Sequence, residues 1–385
     1  MGKAARSGAL HGLLEDIVVW EVLVRLPPKA LLRCRAVCRA WRSATSTREF
    51  LLAHHAHQPV LPLLDNGSYL NLDDPIDICC FDYRPGLAAP DQLQSVAFLD
   101  LGDDISYCQP VASCDGLLIF FIDDAELFIC NPATREYAPI PSPPNQHWTL
   151  LGMYPHTLTD EYRLLLYSCE RNPGNHEPAH ACQVLSLGSG QPPRHIGWPD
   201  AITTAILMEL RPPVLFRGNL HWIPSDDDSE STMIMVFDTT SELFRQMRTP
   251  VVNDCANLFE IDGKLGMAIL NVATTIEIWM LQDYEKEIWI INCRIELPVA
   301  EIKVRCDNYD GRLDFHVVLV PGDGELLVLV QLAEWLFQLG TDGKLITALH
   351  RKEVDATYLQ LKQTLVPHTF FHTLEGYVVN APPFI

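Results

Sequence analysis

Between about residue 76 and the C-terminus the chain is written in short apolar runs of five to eight residues, each bounded by Gly, Pro, Asn or Asp. That pattern predicts β-strands and little else. The runs include Gly116–Ile122, Glu126–Cys130, Tyr162–Tyr167, Met233–Phe237, Ile276–Met280, Phe315–Val320 and Leu326–Val330. No long amphipathic helix interrupts them, so the expectation is an all-β sandwich, barrel or propeller. A loose repeat favours the propeller. A turn glycine leads into a leucine-bearing strand at Gly116, Gly218, Gly263, Gly324 and Gly343, and several carry an aspartate just before it, as at Asp115, Asp262 and Asp342. Such dipeptides suit tight hairpins that need positive φ. The interval from Gly218 to Gly263 is one blade long, although the other intervals are uneven.

The N-terminal stretch from Leu14 to Trp41 has a different character. Ile17, Val18, Trp20, Val22, Leu23, Val24 and Leu26 make a first helix that is apolar almost all round, with Asp16 at its start. Pro27 and Pro28 end it, and a second helix is expected from Pro28 or Lys29, because proline suits a first helical turn but not a helix interior. Leu31, Cys34, Val37, Cys38 and Trp41 then recur at helical spacing, with Arg33, Arg35, Arg39 and Arg42 between them. One face is apolar and the other basic. Ser46-Thr47-Arg48-Glu49 has the form of a capping box, predicting a third helix that runs to His57 and stops before Pro59. So few residues bury such helices poorly, and the spare apolar surface calls for a partner. The expected organisation is a flexible start (1–12), a helical module (13–57), a linker rich in Pro, Asp, Asn and Gly (58–75) and a β domain (76–385).

Charge divides along the same boundary. Of 28 Lys/Arg and 49 Asp/Glu, residues 1–50 hold nine and four, so +5 stands against −26 for the remainder. An acidic β domain argues against nucleic acid as a partner. No apolar stretch reaches the length of a membrane span and no secretory signal is apparent, which predicts a soluble protein of cytoplasm or nucleus with reduced cysteines. The 12 cysteines are irregularly spaced and lack a C-x-x-C, as expected of small core residues.

Catalytic and metal motifs are weak. His176-Glu177-Pro178-Ala179-His180 fits H-E-x-x-H, but zinc chemistry there needs a continuous helix and Pro178 sits inside the turn. His54, His55 and His57 lack a completing ligand, and His368 and His372 lie in a strand-like stretch. Asp226–Glu230 has no EF-hand spacing, and Gly322-Asp323-Gly324 lacks the rest of a dinucleotide site. No catalytic residue, cofactor or metal is expected.

Two resemblances cover most of the chain. Leu14, Ile17, Val22, Leu23, Leu26-Pro27, Leu31-Leu32, Val37-Cys38 and Trp41 match the F-box pattern in order and spacing, with Leu14-Glu15 in place of its opening Leu-Pro. The segment resembles an F-box, which implies a three-helix module that binds an acidic Skp-family adaptor through those residues and, through it, a cullin. The later phrases Ser113–Leu118, Asn131–Tyr137, Asp160–Arg163, Phe216–Trp222, Asp262–Leu265 and Ile276–Trp279 resemble the F-box-associated domain of plant F-box proteins. The fold implied is an N-terminal three-helix F-box followed by an all-β propeller-like domain. The function implied is a non-catalytic substrate receptor of a ubiquitin ligase, holding an unknown protein substrate. The alternative is a propeller scaffold acting outside a ligase. A charge at Leu23 is expected to abolish adaptor binding while leaving the β domain folded.

Overall fold

The computed structural model describes residues 16–65, 75–83, 92–102, 105, 107–123, 126–141, 148–159, 161–170, 179–197, 211–223, 231–252, 256–271, 274–306, 315–321, 326–350 and 355–385. The β region forms six antiparallel sheets arranged as the blades of a propeller. Blade 1 is made from both ends of the domain: β1 (Leu61–Asp65), β2 (Ile76–Phe81) and β3 (Leu93–Leu99) pair with β24 (Asp355–Leu361) in the order β24-β1-β2-β3. Blade 2 holds β4 (Cys108–Cys114), β5 (Leu117–Ile122), β6 (Glu126–Asn131) and β7 (Glu136–Ile140), and blade 3 holds β8 (Trp148–His156), β9 (Glu161–Glu170), β10 (Ala179–Ser186) and β11 (Arg194–His195). Blade 4 comprises β12 (Val214–Phe216), β13 (Asn219–Trp222), β14 (Ser231–Asp238) and β15 (Leu243–Val252). Blade 5 comprises β16 (Ala256–Ile261), β17 (Lys264–Asn271), β18 (Thr275–Asp283) and β19 (Ile288–Glu296), and blade 6 β20 (His316–Pro321), β21 (Leu326–Leu332), β22 (Trp335–Leu339) and β23 (Leu345–His350). First strands of neighbouring blades touch around the axis, as β24 does β4, β4 does β8 and β16 does β20.

The apolar runs are continuous because the middle strands are buried on both faces. In β5, Leu118 and Phe120 enter the seam with blade 1, whereas Leu117 and Ile119 enter the seam with blade 3. β9 does the same one seam on: Leu164 and Leu166 face blade 2, Leu165 and Tyr167 face blade 4. Alternation of side chains along a strand thus fills two cores from one sequence run. Cys79, Cys80, Cys108, Cys130 and Cys182 lie buried in or beside these seams.

The glycine repeat marks the hairpin between the first and second strands of a blade. Asp115-Gly116, Arg217-Gly218 and Asp262-Gly263 all have positive φ at both positions, as a type I′ turn requires. Gly343 belongs to a different hairpin, between β22 and β23, which is why the intervals in sequence are uneven; Gly324 lies outside the described residues. A second repeat was hidden in polar residues. In the hairpins before β7, β15 and β19, Asn131, Asp238 and Asp283 each accept two backbone N–H bonds, and the residue four further on, Arg135, Glu242 or Glu287, has a φ of 56°.

Two of those turn residues tie blades together. Glu242 is buried and receives Arg163 Nη1 at 2.7 Å, Arg194 and the Tyr154 hydroxyl at 3.2 Å, all from blade 3. Burial raises its affinity for a proton, but the Arg194 and Arg163 bonds outweigh this and hold the carboxyl below its ordinary range. Glu287 repeats the contact one blade on, taking Arg248 at 3.2 Å and Arg245 at 3.8 Å.

After β24 the chain continues as a strap over the outside. A 3-10 turn, Thr369–Thr373, sets Phe370 and Phe371 into the seam of blades 2 and 3, β25 (Val378–Val379) adds a fifth strand to β7, and Phe384 bridges to Leu99 of β3. The expectation of a strand around His368 and His372 is therefore corrected to this turn, whose aromatic residues are anchored in a core. The linker expected at 58–75 is also revised, because Leu61–Asp65 forms β1, paired on both sides, and the domain begins there. Pro62 is tolerated within it at a bulge between Pro62 and Leu64. His176–Pro178 and Asp226–Glu230 lie outside the described residues, while His180 falls in β10 and not in a helix.

Two predictions follow from the seams. Glu242→Gln removes a buried partner of two arginines and is expected to lower unfolding free energy by about 2 kcal/mol, against less than about 1 kcal/mol for Glu287→Gln, whose partner Arg248 is exposed; chemical denaturation of both variants checks the order. His221, bonded to Val214 O and the Tyr284 hydroxyl, and His368, against Tyr162, are buried enough to lower their pKa values to about 4. Unfolding raises both toward 6.5, so the unfolded chain binds protons first as pH falls. Each should remove about 2 kcal/mol between pH 7 and pH 5, a loss that His221→Gln and His368→Gln would each reduce in the same denaturation series.

Candidate functional site

The N-terminal module consists of four short helical segments. The first, α1 (residues 16–25), opens with an α turn, widens to a π-helix over Val18–Val22 and tightens to a 3-10 turn over Leu23–Arg25. The Leu23 N–H reaches Val18 O as well as Val19 O, the five-residue reach of a π turn. The second, α2, is Pro28–Cys34 with Pro28 in its first turn. The helix expected to continue to Trp41 breaks instead: Cys38 is extended, its sulfur accepts the Trp41 N–H at 3.4 Å, and α3 runs from Arg39 to Ala44. A capping side chain at Cys38 satisfies an N–H that a continuous helix would have bonded to its backbone. The last segment, α4 (Arg48–His57), starts and stops where the sequence predicts, but Thr47 is the cap, accepting from Phe50 N at 3.2 Å, while Ser46 bonds back to Arg42 O.

The module has its own core of Val19, Leu23, Val24, Leu31, Phe50 and Leu51, and a seventh member comes from the far end of the chain, Leu365. Val366 and Ala133 of the β domain pack around it. His55 Nδ1–H donates to Gln363 O at 3.2 Å and Lys362 Nζ to Ala56 O at 3.4 Å. Gly116 lies under the same strap at a φ of 81°, where a Cβ would come within 2.8 Å of Lys362 O. Part of the spare apolar surface is thus covered by the protein's own propeller, on the side where first strands end. His54 is structural: it is buried, donates from Nε2 to Leu26 O at 2.8 Å, and burial lowers its pKa.

What remains uncovered is a face of large apolar side chains. Ile17, Val22, Leu32 and Val37 are 49, 51, 40 and 67% exposed, and Trp20, absent from the sequence-derived set, is 38% exposed against the Phe50 ring. Pro27 and Cys38 are exposed as well, and Leu26 and Trp41 half-buried. Two residues of that set lie elsewhere: Leu23 and Leu31, at 2 and 0% exposure, are inside the module and act by holding its shape. Leu14 lies outside the described residues. Around the face, Arg25, Lys29, Arg33, Arg39 and Arg42 are exposed, with Arg25 paired to Glu21 at 3.1 Å.

A concavity of about 250 Å³ lies on the propeller axis. Arg211 and Asn257 stand where first strands begin, and Asp115, Glu260 and Lys362 where they end. Arg211 donates to Ala256 O and to Asn257 Oδ1 at 2.9 Å and lies over the Tyr358 ring at 4.6 Å. Those bonds fix the entry to blade 4 on blade 5.

The different burial of the set yields a prediction. Leu31→Ala should destabilise the module by about 2–5 kcal/mol, as expected for a fully buried leucine, whereas Val37→Asp should leave its melting unchanged. Leu23→Asp acts through unfolding of the module, since it buries a charge there. Circular dichroism and protease susceptibility near residue 40 check both.

Comparison with known proteins now bears on these shapes. Residues 94–337 match the F-box associated beta propeller domain, and residues 16–55 match the F-box-like family. The chain is similar to the F-box protein At5g49610 of Arabidopsis thaliana, 23% identical over 89% of this chain and 90% of that protein. It is also similar to the F-box/kelch-repeat protein At3g23880 of the same plant, 22% identical over 69% and 74% of the two chains. A Bacteroides caccae protein of unknown function superimposes with a TM-score of 0.41 over 76% of this chain and 94% of its own. With the four-helix module and six blades described, the chain belongs to the F-box associated β-propeller family and is a plant F-box protein.

Proposed function

We propose that this protein is the substrate-recognition subunit of a Skp–cullin–F-box ubiquitin ligase. The exposed face of α1–α3 docks a Skp-family adaptor, and through it a cullin, while the propeller holds a protein substrate. The observation that carries this reading is that Ile17, Trp20, Val22, Leu32 and Val37 stay exposed on a module whose core already takes in Leu365 from the far end of the chain. Exposed apolar groups so close together belong to an interaction surface. The basic rim suits an acidic adaptor and speeds encounter more than it sets affinity.

Such a receptor acts by proximity. Holding the target near a ubiquitin carrier raises the effective concentration of its lysines, so the chemistry belongs to other subunits and this chain needs no nucleophile. Because the module packs directly on the blade 2 turn and on the strap, the distance between adaptor and target is set by a packed interface. Effective concentration depends on that distance, and a loose tether would dilute it.

The test is co-elution of the purified full chain with a purified Skp-family adaptor. Wild type should form a one-to-one complex, and Val37→Asp together with Leu32→Asp should weaken it at least a hundredfold while the propeller stays folded. Folded wild type that does not bind would favour the scaffold reading.

A further inference from the structure

Trp20 is the one exposed tryptophan among the seven described; the other six are buried or half-buried. Its exposure runs against helical spacing. Leu23 and Val24, three and four residues on, are 2 and 1% exposed, and in a regular α-helix Trp20 would share their face, in the middle of the buried stripe. The π turn over Val18–Val22 changes this, because an extra residue in the turn sets Trp20 at the edge of the stripe while Leu23 and Val24 stay inside. Insertions of this kind recur where a helix carries function. Phe50, fully buried, backs the indole, with ring centroids 5.6 Å apart and planes tilted by 56°. The rest of the ring meets solvent, and among the described residues nothing accepts its N–H, whereas Trp222, Trp279 and Trp289 give theirs to Leu151 O, Glu277 and Arg248 O.

We propose that Trp20 is the anchor of the docking face: its indole enters an apolar pocket of the acidic adaptor and gives its N–H to an acceptor there. This rests on the receptor reading and deepens it, by naming the residue that sets affinity at a position the F-box pattern does not include. A ring already held by Phe50 loses little freedom when a partner covers it, and it brings both apolar area and an unused donor, the combination that makes tryptophan a frequent hot spot. Charge selects the occupant. Lys29, Arg33, Arg39 and Arg42 are exposed on the same module and favour an acidic partner. A second copy of this chain would set those cations against themselves, since a two-fold contact pairs a patch with the same patch.

The test is calorimetric titration of the full chain with a purified Skp-family adaptor. Trp20→Ala should weaken binding at least thirtyfold, and Trp20→Phe, which keeps a ring against Phe50 but loses the donor, about tenfold. Leu52→Ala, at another exposed apolar residue of the module, should bind as wild type does. Thermal melts establish that each variant is folded. A second readout needs no loss of affinity: the emission of wild type minus that of Trp20→Phe should shift to the blue and become shielded from iodide when adaptor is added. Trp20→Ala that binds as wild type does, while Val37→Asp with Leu32→Asp loses binding, would overturn the proposal and leave the receptor reading standing. An indole that stays open to iodide in the complex would do the same. Folded wild type that binds no adaptor would remove both, and a wild-type dimer in sedimentation that Trp20→Ala splits would assign the ring to a second copy instead.

Discussion

The pairing of β24 with β1 is the contact on which the rest depends. It joins Leu61 to Leu361 and Leu64 to Ala356, residues roughly three hundred positions apart, and without it six blades form an open arc with two exposed seams. Closing so long a loop costs entropy that grows only slowly with length, and the return is large. The seams to blades 2 and 6 both draw on blade 1, through Leu61, Leu63 and Ile78 on one side and Leu64 and Phe81 on the other. The strap then reinforces closure from outside by touching blades 3, 2 and 1 in turn.

Ring closure also positions the F-box. α4 leads into β1, and the segment after β24 leads out past α4, so the two ends of the closing pair emerge side by side. Leu365 can enter the helical core only because its strand lies beside the one that α4 feeds. The helical module and the propeller therefore share a core, which Leu365 enters from the segment that follows the ring-closing strand. A short module with too little interior of its own gains the missing apolar partner from residue 365.

The strands, the tight glycine turns and the helical module were legible in the sequence because each rests on local rules: apolar runs, positive-φ dipeptides, proline at a first turn. Blade number was not, since one hairpin repeat is carried by Asn131, Asp238 and Asp283, polar residues that look like any surface turn, and Gly343 belongs to another hairpin. β1 was missed because Pro62 argues against a paired strand until the bulge is seen. In the docking face, periodicity identified which residues are apolar but not which side they take. Leu23 and Leu31 share the spacing of Val22 and Leu32, and only the π turn in α1 and the packing of Leu365 decide that the first pair is inside. Trp20 falls at none of the positions of the F-box pattern, so spacing does not mark it.

The most direct test of a docking face carried on a rigid ring is hydrogen–deuterium exchange of the full chain with and without a Skp-family adaptor. Slowed exchange confined to residues 17–41, with α4, β1 and residues 362–366 equally protected in both states, is the predicted result. Protection on the blades instead, or loosening of α4 from the strap when adaptor binds, would contradict it.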